Sequence, residues 1–197
     1  MKLTQTRRLG ATDAAKLLGV SKYGGPLDVY RRLVEGVDTK LNASMKRGTK
    51  YEPEVRRRYV EATGADLQLW VSPLIVEHER YPWATCSPDD ITSTDVLAEY
   101  KTVSRWSRKS WAPVPVEYVL QVQWSLWVTG LETAHLYAAY GEDGDKTRPG
   151  EFFIEECQLF TFRPDTELFD IFAEVGGAFW RNHIITKTAP TEESAHV

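Results

Sequence analysis

Residues 117–128, Glu-Tyr-Val-Leu-Gln-Val-Gln-Trp-Ser-Leu-Trp-Val, constrain the fold of this chain more than any other stretch. They give a helix that Gly130 would stop, and they are apolar on nearly every side. A helix that is hydrophobic all round is normally buried on most sides. The rest of the chain therefore has to pack around it.

The flanking patterns supply the covering layers. Thr12 can cap a short helix through Leu18, with Gly19 as its stop. Pro26 suits a first helical position, and Leu27, Tyr30 and Val34 follow at helical spacing until Gly36. Residues 37–43 read as a loop. A third helix is expected over residues 49–63, because Tyr51, Val55, Tyr59 and Ala62 recur on one face and Gly64 lies past the end. The middle of the chain is strand-like over residues 67–76, 83–92 and 96–103, with Ser93-Thr94-Asp95 as a hairpin turn. Residues 104–115 read as a loop with a helical turn. Strands are expected again over 134–140 and 151–162. Pro164-Asp165 opens a last helix with Leu168, Phe169, Ile171, Phe172, Val175 and Phe179 inward. Helices, a central sheet, the buried helix, more strands and a closing helix make an α/β fold with a mixed sheet. There is no repeat or dividing linker, so one domain is expected over residues 1–187, with a disordered tail over 188–197.

Composition narrows the class. The two cysteines, Cys86 and Cys157, make neither a metal-ligand pair nor a disulfide framework. A reducing cytoplasm is the simplest compartment. Residues 1–10 are polar and basic, without the apolar run of a signal peptide, and no stretch approaches the ~20 apolar residues of a membrane span. The net charge of −4 argues mildly against a nucleic-acid partner. Phosphate contacts are local, however, and basic residues crowd at Lys46, Arg47, Lys50 and 56–58, and at Lys101, Arg105, Arg108 and Lys109. Most of the aromatic content belongs to packing. Tyr118 is expected to pack, and Trp106 and Trp111 could either pack or stack on bases.

Chemistry concentrates in Ser87-Pro88-Asp89-Asp90 and Leu97-Ala98-Glu99-Tyr100-Lys101. Side chains alternate along a strand, so Glu99 and Lys101 share a face. The hairpin brings Asp89 or Asp90 to that face. Converging carboxylates suit a hard cation such as Mg²⁺, and an adjacent ammonium can position a water or offset phosphate charge. On spacing alone, a surface Glu–Lys pair on an edge strand is the simpler account. The surroundings reverse that.

An Asp followed some ten residues later by Glu-x-Lys resembles the PD-(D/E)xK nuclease core. Arg8-Leu9-Gly10 with Thr12-Asp13, Arg47-Gly48-x-x-Tyr51-Glu52, Cys86-Ser87-Pro88-Asp89, Glu99-x-Lys101 and Tyr118-x-x-Gln121-Val122-Gln123-x-Ser125-x-Trp127 occur in this order. Together they resemble the lambda exonuclease family, also called YqaJ-type viral recombinases, over residues 7–160. The resemblance implies a restriction-endonuclease-like core, a central mixed sheet flanked by helices, forming a single nuclease domain over residues 1–187. It implies that Asp89, Glu99 and Glu52 bind metal with the Tyr100 backbone carbonyl, and that two Mg²⁺ ions occupy the site, with Mn²⁺ as the alternative. Lys101 would orient the attacking water, and Gln121 would sit beside the scissile phosphate or that water. A Gln in so apolar a helix needs a polar partner, since leaving it unpaired costs about 1–3 kcal/mol. Gln123 is expected to be structural. Arg8 and Thr12 match positions that grip a 5′-phosphate, and an Arg fork is a good phosphate receptor.

Two departures stand out. Asp89-Asp90 replaces the commoner Asp-Gly, which leaves the ligand ambiguous by one residue. The loop over residues 101–118 is shorter than in the lambda enzyme. The implied activity is Mg²⁺-dependent 5′ to 3′ digestion of double-stranded DNA ends, leaving 3′ overhangs for a single-strand annealing protein in phage-type recombination. A homotrimeric ring is implied, with monomer and dimer open, and the host cytoplasm is the implied location. The rivals are an endonuclease or a Cas4-like or repair nuclease on the same core, and a non-catalytic DNA-binding phage protein.

Overall fold

The computed structural model describes residues 7–37, 42–68, 75–144, 147–148 and 150–191. After a 3-10 turn at Ala11–Asp13 come α1 (Ala14–Leu17), α2 (Pro26–Tyr30, continued by a π-helical turn at Arg31–Glu35) and α3 (Ala43–Thr63). Four strands follow: β1 (Val76–Glu77), β2 (Thr85–Cys86), β3 (Asp90–Ile91) and β4 (Val96–Ser104). A 3-10 segment at Arg105–Trp111 leads to α4 (Val116–Thr129), then β5 (Thr133–Asp143), β6 (Phe152–Phe162), α5 (Thr166–Phe179) and a π-helical stretch at Trp180–Ile185.

The main sheet runs β3-β4-β5-β6, and β1 and β2 form a separate pair. β4 and β5 are parallel while both outer pairings are antiparallel, so the sheet is mixed as expected. Parallel neighbours need a crossover, and α4 supplies it. On one face Val55 and Tyr59 of α3 pack with Ala98, Tyr100, Tyr137 and Ala139. On the other, Val122 and Leu126 of α4 pack with Leu97, Val103, Leu136 and Ala138. Leu120, Trp124, Trp127 and Val128 on the back of α4 join a second core with Ala14, Phe172 and Phe179. The all-round apolar helix is thus enclosed between the sheet and an outer helical layer. Each fully buried leucine here, such as Leu126 or Leu136, contributes about 1.5–3 kcal/mol.

Several local expectations change. Thr12 is not a cap. Asp13 accepts the Gly10 N–H at 2.8 Å, so the cap position falls on Gly10, two residues earlier, and Thr12 is left exposed within the turn. Helix α3 starts at Ala43 rather than at 49, because Asn42 caps it by accepting the Met45 N–H at 2.9 Å. The strand expected over 83–92 survives only as β2 and β3, interrupted at Ser87-Pro88-Asp89. Most of the strand expected over 67–76 lies outside the described residues, which include its ends: Leu67 bridges Thr92, and Val76 lies in β1. Ile171 faces solvent rather than the core, whereas Phe172 and Phe179 are buried. Of the expected tail, residues 188–191 are described: the Thr188 N–H donates to the His183 carbonyl at 3.2 Å, and Pro190 is buried. Residues 192–197 lie outside the described set.

One close approach fixes α5. A Cβ added at Gly176 would stand 2.7 Å from the Trp83 ring. That ring is wedged between Tyr81, Trp124 and Trp127, at centroid distances of 5.5, 6.4 and 5.8 Å. Gly176→Val is therefore expected to destabilise the protein by about 2 kcal/mol through overpacking. Urea unfolding reads this directly, and an unchanged midpoint would show that the Trp83 ring gives way freely.

Candidate active site

The β3–β4 hairpin builds the site. Its turn is organised by Thr92, whose carbonyl accepts the Asp95 N–H at 3.0 Å and whose Oγ1 accepts the Val96 N–H at 3.1 Å. Asp90 pairs with Ala98 and Ile91 with Leu97. Continuing that register sets Asp89 opposite Glu99. The alternation of β4 sends Leu97, Glu99, Lys101 and Val103 toward α4, and Ala98 and Tyr100 toward α3.

Glu99 is 2% exposed. Its Oε2 accepts from Lys101 Nζ at 3.2 Å and from Gln121 Nε2 at 3.1 Å. Its Oε1 is buried with no partner among the described residues. Burial pushes the Glu99 carboxyl up to about 7; Lys101 opposes the shift and Asp89 adds to it. The Asp89 carboxyl is raised by burial too, against the pull of Lys101 and of the Tyr100 N–H, which donates to Asp89 Oδ2 at 2.6 Å. Burial alone would lower the Lys101 ammonium, but Glu99 and Asp89 hold it above its ordinary value. It is therefore a charged, positioned cation, lying 5.7 Å from the Tyr118 ring centroid.

Glu52, on an exposed turn of α3, accepts no hydrogen bond among the described residues. Its carboxyl is raised by partial desolvation and then by the charges of Asp89 and Asp90. No three Asp, Glu, His or Cys side chains among the described residues stand close enough to hold an ion as they are. The local charge nonetheless fits a divalent cation. Three carboxylates repel one another around a single lysine, and the buried oxygen of Glu99 is unsatisfied, which costs free energy that a cation would recover. Gln121 finds its polar partner in Glu99, donating from Nε2 to Oε2 at 3.1 Å.

The adjacent acid has a different environment. Asp90 is 4% exposed and fully engaged by Arg56 and by the Tyr100 hydroxyl. Sequence reasoning favours Asp89, which follows the Ser-Pro turn, with Asp90 as the alternative, and does not single out Arg56. The available signal was its place one turn beyond Glu52 on the same helix face. Gln123 is structural, tying the Arg163 carbonyl and the Asp165 N–H at 2.8 and 3.0 Å. Trp111 is buried and stacks on Tyr118 at 4.8 Å, whereas Trp106 is 78% exposed.

Arg8 lies beside β1, and Thr12 lies on the 3-10 turn that packs against α4. Leu9 bridges Ala84, and its carbonyl accepts the Thr85 N–H at 2.8 Å, so this segment lies alongside the strand leading to Asp89. The Arg8 guanidinium is paired with Glu77, so a phosphate there would have to displace a carboxylate. The basic clusters are largely neutralised as well: Arg57 and Arg58 pair with Glu54, Arg105 with Glu142 and Glu155, and Arg108 with Glu156.

Comparison with known proteins agrees with this architecture. The family model of the YqaJ-like viral recombinase domain matches residues 3–132. The uncharacterized protein YqaJ of Bacillus subtilis (strain 168) is 24% identical over 193 residues, which is 95% of this chain and 57% of that protein. This chain thus spans a little over half the length of that curated relative. An alkaline exonuclease of Laribacter hongkongensis, whose crystal structure holds dAMP, is similar with a TM-score of 0.68 and 22% identity, covering 92% of this chain and 90% of that one. A phage-related exonuclease from Haemophilus somnus 129PT gives 0.70 at 13% identity, covering 91% and 96%. These likenesses establish that this chain shares the fold of those two proteins.

Proposed function

This chain belongs to the YqaJ-like viral recombinase domain family, and from that premise we propose that it is a metal-dependent exodeoxyribonuclease. It acts on double-stranded DNA ends from the 5′ side, leaving 3′ overhangs for single-strand annealing recombination. The observation that carries the reading is Glu99: a buried carboxylate with one oxygen held by Lys101 and Gln121 and the other unpartnered, next to Asp89.

Asp89, Glu99, Glu52 and the Tyr100 backbone carbonyl would hold the cation, with Mg²⁺ as the natural choice and two ions as the full complement. When bound, a divalent cation neutralises charge at the scissile phosphate and makes a water acidic enough to attack near neutral pH. The chain's own residues do the rest. Lys101 Nζ is fixed by Glu99 and keeps its remaining protons for a water or a phosphate oxygen. Gln121 prevents Glu99 from turning its free oxygen away. As the water oxygen bonds to phosphorus, the bond to the 3′ oxygen breaks and that oxygen takes up a proton, releasing a 5′-mononucleotide. Arg8 and the exposed Thr12 hydroxyl receive the terminal 5′-phosphate, with Arg8 exchanging Glu77 for it. No helix among the described residues is long and apolar enough to cross a membrane.

Strand-specific digestion of linear duplex tests polarity, end dependence and metal dependence together. We expect mononucleotides from the 5′ strand in Mg²⁺ and none in EDTA, with 5′-phosphorylated ends digested about 10-fold faster than 5′-hydroxyl ends, the scale of one charge-assisted contact. Arg8→Ala should remove that preference. Circular duplex cut as fast as linear would defeat the end-dependent reading in favour of an endonuclease. No cleavage of any DNA in any divalent cation would leave a binding protein.

A further inference from the structure

We infer that Arg56, Asp90 and Tyr100 form a positioning clamp that seats helix α3, and with it Glu52, against the catalytic hairpin. The inference rests on the reading of Glu52 and Asp89 as cation-holding carboxylates. Both Asp90 oxygens are engaged: Arg56 Nε donates to Oδ2 at 2.7 Å, Arg56 Nη2 to Oδ1 at 3.1 Å, and the Tyr100 hydroxyl to Oδ2 at 2.9 Å. A two-pronged guanidinium–carboxylate contact fixes orientation as well as distance. A buried acid satisfied this completely is well placed to hold two elements in register, because removal of either partner leaves the other unpaired.

The side chains of these three residues adjoin the carboxylates of the site without holding the cation, to which only the Tyr100 backbone carbonyl would contribute. Arg56 lies one helical turn beyond Glu52. Asp90 follows Asp89 in the chain. Tyr100 sits between Glu99 and Lys101, and its N–H holds Asp89 Oδ2 at 2.6 Å. The Tyr59 ring backs the Tyr100 ring at 5.5 Å. Because Glu52 accepts no hydrogen bond among the described residues, its position follows from how α3 is seated, and Arg56–Asp90 is the ion pair between α3 and this hairpin. A second link, from Arg47 to Thr102 and Asp143, ties the first turns of α3 to the far ends of β4 and β5. It leaves the stretch beside Asp89 to the clamp.

The test is Mn²⁺ binding to the full chain without DNA, read from the electron paramagnetic resonance signal of the free ion. Loss of a partner that orients a metal ligand weakens metal binding by about 10–100-fold. Asp90→Asn and Arg56→Met are therefore expected to weaken the Glu52-dependent site about 10-fold, and to add less than about 2-fold in a Glu52→Gln background, as coupled neighbours do. Tyr100→Phe removes one hydroxyl and keeps the ring packing, so it guards against a variant that fails to fold; about 3-fold weakening is expected from losing one hydrogen bond. If Asp90→Asn and Tyr100→Phe bind Mn²⁺ like the natural chain while Glu52→Gln weakens it, the clamp is refuted and the metal reading stands. If Glu52→Gln binds Mn²⁺ unchanged, the reading of Glu52 fails and the clamp falls with it.

Discussion

Lys101→Ala is expected to slow DNA cleavage by about 10²–10⁴-fold, the contribution of a positioned proton-handling side chain, while DNA affinity changes little. The ammonium is half-buried beside Glu99 and Asp89, and both keep it charged. Arg56, the other cation acting on this cluster, is committed to Asp90 and cannot substitute. DNA affinity should hold because duplex binding sums over many phosphate contacts, of which one partly shielded lysine is a small share. Alanine also withdraws a hydrogen bond from Glu99, which would lower the activity indirectly. Lys101→Met keeps the aliphatic stem and separates lost packing from lost charge. Single-turnover cleavage, with affinity measured by anisotropy in EDTA, reads both quantities. A Lys101→Met enzyme as fast as the natural one would remove the ammonium from the mechanism.

Much of this site was legible in the sequence because its geometry follows from strand alternation. Glu99 and Lys101, two apart on an apolar strand, had to share a face, and Ser93-Thr94-Asp95 had to return the chain beside them. The enclosure of α4 was equally readable, since Val122, Trp124, Leu126 and Trp127 leave no polar side to expose. What was hidden depended on tertiary partners. Asp89 and Asp90 are adjacent acids in sequence, and what distinguishes them is tertiary: Arg56 from α3 and the Tyr100 hydroxyl engage Asp90, whereas Asp89 accepts the Tyr100 N–H. The start of α3 was obscured because Ser44 and Gly48 are weak helix formers, and the Asn42 cap outweighs them locally. The span 83–92 is strand-like at both ends, but Ser87-Pro88-Asp89 between them breaks it, where the chain leaves the β1–β2 pair for the main sheet. Gln121 was rightly expected to need a partner, but its partner, Glu99, lies on another element.

A buried, crowded set of carboxylates should also make the cation-free protein more stable in acid than at neutral pH. In EDTA, unfolding free energy is expected to fall as pH rises from about 4.5 to about 7, by on the order of 3 kcal/mol from Glu99 at about 1.4 kcal/mol per pKa unit. The sign follows from proton counting. Between its unfolded value of 4.5 and its folded value of about 7, Glu99 is protonated in the native state and ionised in the unfolded chain. The native state then binds more protons, so raising the pH favours unfolding. Below that window both states are protonated; above it both are ionised and the penalty is fully present. Asp89 and Glu52 are shifted in the same direction and add to the slope. Glu54, lowered to about 2 by Arg57 and Arg58, acts in the opposite sense below pH 4.5, outside the window. The lowered histidines, His78 and His135, oppose the slope near pH 6. The decisive quantity is therefore the difference from Glu99→Gln, an uncharged stand-in for the protonated acid. Chemical denaturation of both proteins across pH 4.5–8 should show that difference growing in favour of Glu99→Gln, and a flat difference would mean that Glu99 is not held in a strained, desolvated state. Adding Mg²⁺ or Mn²⁺ should reverse the order at pH 8, since a cation binds the ionised carboxylate and stabilises only the folded chain that presents it. The stability withheld from the cation-free protein at Glu99 would then be what the site returns when it binds its ion.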